Sequence, residues 1–562
     1  MKQIIECVPN FSEGRDMNII KQITDAIESV DGVKLLNVDP GKATNRTVVT
    51  FVGEPNPVVQ AAYLSIKKAA ELIDMSKHKG EHPRMGATDV CPLIPIANIS
   101  MDEVVEYAKK LGEIVGNELD IPFYLYESAA SKPERKNLAT VRAGEYEGLK
   151  EKLAKPEWKP DYGPAVFNAK SGATAIGARD FLVAYNVNLN TKSERRANSV
   201  AFDVREKGRI KREGNPITGK IINDENGEPV REPGMCKAVK AIGWYIEEYG
   251  LAQISMNLTD INITPVHVAF EACRTSANHR GLRVTGSEIV GLIPKKVLLD
   301  AGKFFLEKQQ RSTGVSEEEL MHIAIKSLGL DELAPFNPKE RVIEFMLEDD
   351  QAKKLVDLNL KQFADETASE SMAPGGGSIS AYYGSLGAAL ATMVANLSAN
   401  KRGWDHRLPE FSAVAEKGQM LKDQLLYLVD EDTKAFNGII DAVRMPKVTD
   451  EEKAARNEAM NSATKYAIEV PLSVMSRSVE IMTLAMEMAK NGNQNSISDA
   501  GVAAIGALAA VEGAYLNVMI NCDGFADQEY VSSVTRKAEE LLRAARESKE
   551  EIFQYCLSVI KK

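Results

Sequence analysis

RTVVTFVG at residues 46–53 and NPVVQAAYLSIKKAAELIDM at residues 56–75 set the character of the first half of the chain. The first is rich in β-branched residues and predicts a strand. The second carries Val58, Ala62, Leu64, Ile66, Ala69 and Leu72 at helical spacing and predicts an amphipathic helix. The same hand-over recurs in PLIPIANI (92–99) before MDEVVEYAKKLGEIVGNEL (101–119), and IPFYLY (121–126) adds another strand. A second set starts at FLVAYNVNLN (181–190), continues through AQISMNLTDI (252–261) and reaches the helix-like TPVHVAFEACRTSANHRG (264–281). The alternation implies two comparable α/β or α+β halves. Residues 204–235, charged and rich in Gly and Pro, read as an exposed excursion of hairpin type outside the core.

After residue 346 the character changes. LEDDQAKK (347–354) is a polar connector, and from residue 355 long amphipathic stretches rich in Ala, Met and Leu predict an all-α bundle. The expected layout is therefore an α/β part over 1–181, a second over 182–346, a linker over 347–354 and a helical domain over 355–562. A length of 562 residues, enough for about three or four domains, excludes a single small binding module. Sixty-nine Lys and Arg against eighty Asp and Glu leave a net charge of −11, the opposite of a nucleic-acid binder's basic footprint. Six cysteines, Cys7, Cys91, Cys236, Cys273, Cys522 and Cys556, lie far apart with no metal-binding spacing, and read as free thiols of a reducing compartment. The N-terminus meets charge and a Pro-Asn turn too soon for a secretion signal, and no apolar run approaches the ~20 residues of a membrane span. A cytoplasmic protein is expected.

Chemistry is concentrated in His78-Lys-Gly-Glu81-His82-Pro83-Arg84-Met-Gly-Ala-Thr-Asp89, which places two imidazoles, a guanidinium and two carboxylates between a helix and a strand. Gly80 and Pro83 oppose helix there, so the segment reads as a loop on rigid elements. Two histidines four apart share a face only on a helix, and no third stands nearby, which disfavours a metal pair. General acid/base work by His82 needs only a proton acceptor that titrates near working pH. Upstream, Val8-Pro-Asn10-Phe-Ser12-Glu13-Gly14 and Asp39-Pro-Gly-Lys-Ala-Thr44-Asn45-Arg46 are polar turns beside predicted strands, either rims of a ligand cleft or simple Asx turns and caps. Arg46 and Arg84 suit carboxylate recognition or surface pairing. A thiol nucleophile, Cys91 with His82 as base, is the rival enzyme reading; Cys91 on an apolar strand is equally a buried inert thiol.

In the helical domain, Pro374-Gly375-Gly376-Gly377-Ser378 opens SISAYYGSLGAALATMVANLS (378–398), a helix whose first amides can hold an anion or whose glycines serve packing alone. Within LKDQLLYLVDEDTKAFNGII (421–440) the apolar stripe runs through Leu421, Leu425, Leu428, Val429, Ala435, Phe436 and Ile439. Asp432 falls inside that stripe, whereas Asp430 stands four before Lys434 as an exposed pair. A carboxylate on a buried face is a desolvated acid/base or a helix-packing hydrogen bond. Asp499, in NSISDAGVAA (495–504), sits in a first helical turn, where it complements the helix dipole.

CVPNFSEG, NRTVVTFVG, DMSKHKGEHPRMGATDVCP and RAGEYEGL closely resemble the formiminotransferase-cyclodeaminase family, and the likeness extends through the C-terminal domain. It implies two ferredoxin-like α/β subdomains followed by an all-α bundle. It places the transferase's catalytic histidine at His82 and its folate segment at Gly163, Pro164, Ala165, Val166, Phe167, Asn168, Ala169, Lys170, Ser171 and Gly172. Asp39 falls in a family motif as well, where it orients the imidazole or binds the incoming amine, or serves as a turn residue. The PGGGS run implies folate contacts at Gly375, Gly376 and Gly377, and the cyclodeaminase aspartate aligns with Asp432, with Asp499 a further family position. The implied reactions move a formimino group from N-formimino-glutamate to tetrahydrofolate, with or without a polyglutamate tail, and then close it to 5,10-methenyl-tetrahydrofolate with loss of ammonia. Folate is here a substrate; no metal, nucleic acid or membrane is implied, and the family implies a dimer-based homo-oligomer up to an octamer.

Overall fold

The computed structural model describes residues 3–41, 45–80, 84–214, 218–347 and 354–561. Two compact units emerge, one of residues 1–297 with 328–348, the other of residues 298–327 with 349–562.

The first unit opens with β1 (Ile4–Cys7), β2 (Asn10–Phe11), α1 (Met17–Glu28), β3 (Val33–Gly41), β4 (Arg46–Gly53), α2 (Pro55–Leu72) and β5 (Thr88–Ala97). β1 and β2 behave as one strand interrupted at Pro9, since both pair with β4 on one side and β5 on the other. With β3 on β4, the order is β3-β4-β1/β2-β5, antiparallel throughout, which is the split βαββαβ arrangement. α3 (Met101–Glu118) begins at a capping box of Ser100 and Glu103 and leads to β6 (Phe123–Glu127). α4 (Leu138–Arg142) and α5 (Glu145–Leu153) follow, and β7 (Thr174–Ala178) inserts between β5 and β6, parallel to both. In β4, Thr47, Val49 and Phe51 are buried, while Arg46, Val48 and Thr50 turn to the other face. Val49 and Phe51 join a core with residues of α1, α2 and α3.

The same connection recurs in β8 (Val183–Leu189), α6 (Glu194–Val204), β9 (Arg209–Ile210), β10 (Arg231–Glu232), β11 (Val239–Ile246), β12 (Leu251–Leu258), α7 (Val266–Asn278) and β13 (Val284–Val290). Its sheet runs β11-β12-β8-β13, again antiparallel. The two halves are therefore ferredoxin-like α/β subdomains of one topology. The charged excursion supplies the small β9–β10 ribbon and the outlying bridges Arg212↔Ile221 and Asn223↔Pro229.

α8 (Lys295–Lys308) runs from the first unit into the second, α9 (Glu317–Leu328) follows, and the short α10 (Pro338–Arg341) and α11 (Ile343–Met346) return to the first. Residues 298–327, which the sequence reading places in the second α/β part, pack with the helices. Thr313 donates to Glu416 at 2.5 Å, Lys303 pairs with the same carboxylate at 2.7 Å, and Asn396 donates to the Gly314 carbonyl at 2.8 Å. Contacts of this kind join segments a hundred residues apart and leave no periodic trace in the sequence.

The helical unit continues with α12 (Leu360–Thr367), α13 (Gly376–Ala399), α14 (Leu408–Arg444), α15 (Asp450–Asn491), α16 (Ile497–Cys522) and α17 (Gln528–Ile560). Small residues let α13 and α16 approach closely: a Cβ on Gly387 would lie 2.9 Å from the Ala503 carbonyl. α15 contains Pro471, which cannot donate to the Ala467 carbonyl one turn earlier. Asn521 of α16 donates to that carbonyl instead, at 2.7 Å. The sequence reading found no apolar run near membrane-spanning length, yet Gln494–Cys522 is long and apolar enough by length and composition. Ala, Gly and scattered aliphatic residues supply this, and Ala500, Ala503, Ala504 and Ala507 lie in the bundle core.

Candidate functional site

Glu81, His82 and Pro83 lie outside the described residues, so the His82 assignment is bounded by its neighbours Gly80 and Arg84. Around these two ends the fold gathers the polar turns read from the sequence. Asn45 accepts from the Gly14 amide at 3.0 Å and donates to the Lys79 carbonyl at 3.1 Å. Ser12 donates to the Gly86 carbonyl at 2.7 Å, and Thr47 to the Glu13 carbonyl at 2.5 Å. Gly14 is required by close approach, because a Cβ there would lie 2.4 Å from the Gly41 carbonyl.

Arg84 is buried and its donors are committed. Its two terminal nitrogens grip Glu147 at 2.8 and 2.7 Å, one reaches Glu145 at 3.3 Å, and Nε donates to His78 Nδ1 at 3.2 Å. Arg84 is thus an internal clamp on the RAGEYEGL segment rather than a carboxylate receptor, and it holds the Glu147 carboxyl below its ordinary value. His78 accepts from Arg84 on Nδ1 and meets the Asn45 carbonyl with Nε2 at 2.8 Å, so both ring nitrogens are occupied. That leaves it no lone pair for a metal. Asp89, fully buried, accepts from the Met85 amide and from Arg142 at 2.7 Å.

The C-terminal end of the folate segment of the resemblance pairs with residues 85–87, between the loop and β5. The Ala87 amide donates to the Ser171 carbonyl at 2.8 Å, and Ala173 to Met85 at 2.9 Å. Gly172 is left-handed, and a Cβ on it would stand 2.2 Å from the Met85 carbonyl. Asn168 accepts from the amides of Lys170 and Ser171, and Tyr146 donates to the Ala169 carbonyl at 2.6 Å while its ring leans on Phe167 at 5.5 Å. Lys170 donates to the Glu71 carbonyl at the C-terminal end of α2, where the helix dipole favours a cation. The tip is open, with Val166 67% exposed. Asp39 is exposed on β3 and shares a cross-strand row with Val48, Asn10 and Val90, on the sheet face opposite α1 and α2. It is a strand residue, not part of the turn expected of it.

Cys91 is fully buried with its sulfur 3.5 Å from that of Cys7, which removes it as a nucleophile open to substrate. The sequence reading missed an amide row on the second sheet. Gln253 donates to Asn188 at 2.8 Å, Asn188 to Glu332 at 2.6 Å, and Asn186 to Glu288 at 3.2 Å. Its signal was present: Asn186 and Asn188 alternate with Tyr185, Val187 and Leu189, placing amides on the face away from α6.

In the helical unit the anion at the start of α13 is the protein's own. Asp432 Oδ2 accepts from the Ser378 amide at 2.8 Å and lies 3.1 Å from the Ser378 hydroxyl. Burial pushes its carboxyl above the ordinary value, and the two Ser378 bonds oppose this. Gly377 leaves room for it, since a Cβ there would stand 2.1 Å from Asp432 Oδ1 and the carboxyl would have to move. Gly376 faces Asn517 of α16, and Gly375 caps the helix with open space around it. Because Gly376 meets Asn517 and Gly387 meets Ala503, α13 and α16 run antiparallel, and Asp499 lies ~27 Å along α16 from Asn517. Within one chain Asp499 does not join Asp432.

Two expectations for α14 are corrected. Asp430 does not face solvent beside Lys434: it accepts from the Leu355 amide at 2.6 Å and from Val356, because the segment entering the bundle covers that face. Lys434 pairs with Glu431 at 3.3 Å. Phe436 is 37% exposed, off the core stripe. Glu431, which the register argument passed over, is buried and accepts from the hydroxyls of Tyr466 and Tyr427.

Family models match three consecutive stretches: the formiminotransferase domain's N-terminal subdomain over residues 4–179, the formiminotransferase domain over 184–348, and formiminotransferase-cyclodeaminase over 359–540. The formimidoyltransferase-cyclodeaminase of Rattus norvegicus is 42% identical over 547 residues, covering 97% of each chain. The chain belongs to the formimidoyltransferase-cyclodeaminase family. Other relatives match its two parts separately. The glutamate formimidoyltransferase of Thermoplasma acidophilum is 44% identical over 306 residues, 54% of this chain and 92% of its own. The methenyltetrahydrofolate cyclohydrolase of Methylorubrum extorquens is 37% identical over 195 residues, 35% of this chain and 94% of its own. Within the formimidoyltransferase-cyclodeaminase family, then, this chain carries both parts in one polypeptide.

Proposed function

We propose that the chain catalyses two consecutive folate reactions: transfer of the formimino group from N-formimino-L-glutamate to tetrahydrofolate, then cyclisation of 5-formimino-tetrahydrofolate to 5,10-methenyl-tetrahydrofolate with release of ammonia. The observation that carries this reading is the full-length match to enzymes of that name, joined to a half-buried carboxyl, Asp432, held at a helix start against Gly377.

In the transfer, the N5 amine attacks the formimino carbon and the tetrahedral carbon then expels the glutamate nitrogen. One amine loses a proton and the other gains one, and a single imidazole serves both steps. His82 takes that role, with Asp39 and the 163–172 segment facing the substrates. In the cyclisation, N10 attacks the amidinium carbon, its proton passes to Asp432, and Asp432 returns it to the amino group, which leaves as ammonia. The raised proton affinity of Asp432 suits a group that must both take and give a proton.

Tyr383, Leu386, Met393 and Leu397 of α13 and Val502 and Ile505 of α16 are exposed apolar side chains, and part of this face forms a groove of about 630 Å³. A homo-oligomer that covers this face is part of the proposal. The test of function is an assay with tetrahydrofolate and N-formimino-glutamate that follows glutamate, ammonia and the methenyl chromophore separately. Glutamate without ammonia would leave a transferase alone. Hydrolysis of supplied methenyl-tetrahydrofolate without ammonia release from 5-formimino-tetrahydrofolate would make the helical unit a cyclohydrolase.

A further inference from the structure

Asp432 receives two bonds from one residue, and both end on the same oxygen. The Ser378 amide lies 2.8 Å from Oδ2 and the Ser378 hydroxyl 3.1 Å from it. Oδ1 is turned to the space that Gly377 leaves by lacking a side chain. The hydroxyl has a second acceptor, the Val429 carbonyl, at 2.9 Å. It has one hydrogen for two acceptors, and Ser378 is fully buried, so water does not compete for that choice.

Among the described residues, no charged group acts on this carboxyl, only its burial and Ser378. On α14, Asp430 turns to the Leu355 amide and Glu431 to Tyr466, Tyr427 and Lys434. α16 presents the neutral Asn517 to the adjoining Gly376. Ser378 is the polar side chain bonded to Asp432 among the described residues.

We infer that Ser378 is a positioning residue for cyclodeamination: its hydroxyl follows the charge of Asp432, keeping Oδ2 bonded as the acceptor and reserving Oδ1 for proton exchange with substrate. When the carboxyl is ionised, the hydroxyl donates to Oδ2. When Oδ1 carries the proton taken from N10, the hydroxyl turns to the Val429 carbonyl and Oδ2 keeps the amide bond. Transfer of that proton from Oδ1 to the departing amino group restores the first state. No heavy atom moves in either step, which is the condition for low reorganisation in a buried site. This inference rests on Asp432 as the proton carrier.

The test uses the full chain and measures ammonia release from 5-formimino-tetrahydrofolate against pH for Ser378→Ala, Ser378→Cys, Ser378→Thr and Asp432→Asn. Removing the hydroxyl withdraws a bond that favours the ionised carboxyl, so the acid limb of kcat should move about one pH unit upward. kcat should fall by about 10-fold with KM little changed. Ser378→Cys keeps the volume with a weaker donor and should show the same shift, which preserves the test if the alanine variant is unstable. Ser378→Thr keeps the hydroxyl and should restore the limb. An unmoved limb in the cysteine or alanine variant, with Asp432→Asn inactive, overturns the role of Ser378 alone. An active, folded Asp432→Asn overturns the assignment on which it rests.

Discussion

Gly377→Ala separates the geometry of the cyclodeaminase site from generic helix preference. Gly377 lies in the first turn of α13, where Ala is the better helix former by ~0.5–1 kcal/mol, so propensity alone predicts stabilisation. The structure predicts the opposite. A methyl group would stand 2.1 Å from Asp432 Oδ1, 2.5 Å from its Cγ and 2.7 Å from Oδ2, the tip of a short side chain that the Ser378 amide and hydroxyl hold in place. The carboxyl must retreat by ~1 Å, given the usual contact distance. Overpacking of this kind costs ~1–3 kcal/mol, and loss of the charge-assisted bonds from Ser378 adds a comparable amount. The net, after the propensity gain, is destabilisation by about 3 kcal/mol, or a melting temperature lower by ~6–12 °C for a domain of this size. A displacement of that size should reduce ammonia release ~10²-fold. Gly438→Ala in α14 is the control: its Cβ meets only Ala463 at 3.9 Å, and it should be neutral or slightly stabilising. Transferase activity should be unchanged in both. A Gly377→Ala enzyme with the wild-type rate and melting temperature would refute the placement of Asp432 against the helix start.

His82→Ala should lower formimino transfer by ~10²–10⁴-fold while cyclisation of supplied 5-formimino-tetrahydrofolate continues; transfer within a few-fold of wild type would remove His82 from the mechanism. Asp432→Asn should stop ammonia release in a folded protein, whereas Asp430→Asn, which loses charge-assisted acceptance from Leu355 and Val356, should lower the melting temperature and leave the chemistry. The reverse pattern in the two variants would overturn the register. Burial pushes the Glu6 carboxyl up to about 7 against the pull of Arg179. A carboxyl with a raised folded pKa stabilises the fold below its ordinary value of 4.5 and loses that contribution as pH rises through 7, up to ~3 kcal/mol in all. Urea unfolding should therefore show wild type weakening between about pH 5 and about pH 8, and Glu6→Gln flattening that slope; parallel slopes would exclude Glu6 as the titrating group.

What the sequence determined by itself is what periodicity and short spacing encode. The strand 46–53 and the helix after it appear as β4 and α2, because alternation and 3.6-residue spacing report which side of an element is buried. The change to long helices beyond residue 355 is legible for the same reason, and so is the side of α14 from which Asp432 meets Ser378, although Asp432 is only half-buried there. Only the tertiary structure decided the rest. It assigned Arg84 and His78 to internal bonds, because Glu147 and Asn45 reach them from segments 63 and 33 residues away. It placed residues 298–327 on the bundle and the Leu355 amide on Asp430, contacts between distant segments that follow no period. It also parted Asp499 from Asp432, since the antiparallel packing of α13 and α16 sets which ends meet. A helix register reports the direction of a side chain; what lies in that direction is settled by the packing of elements far apart in the chain.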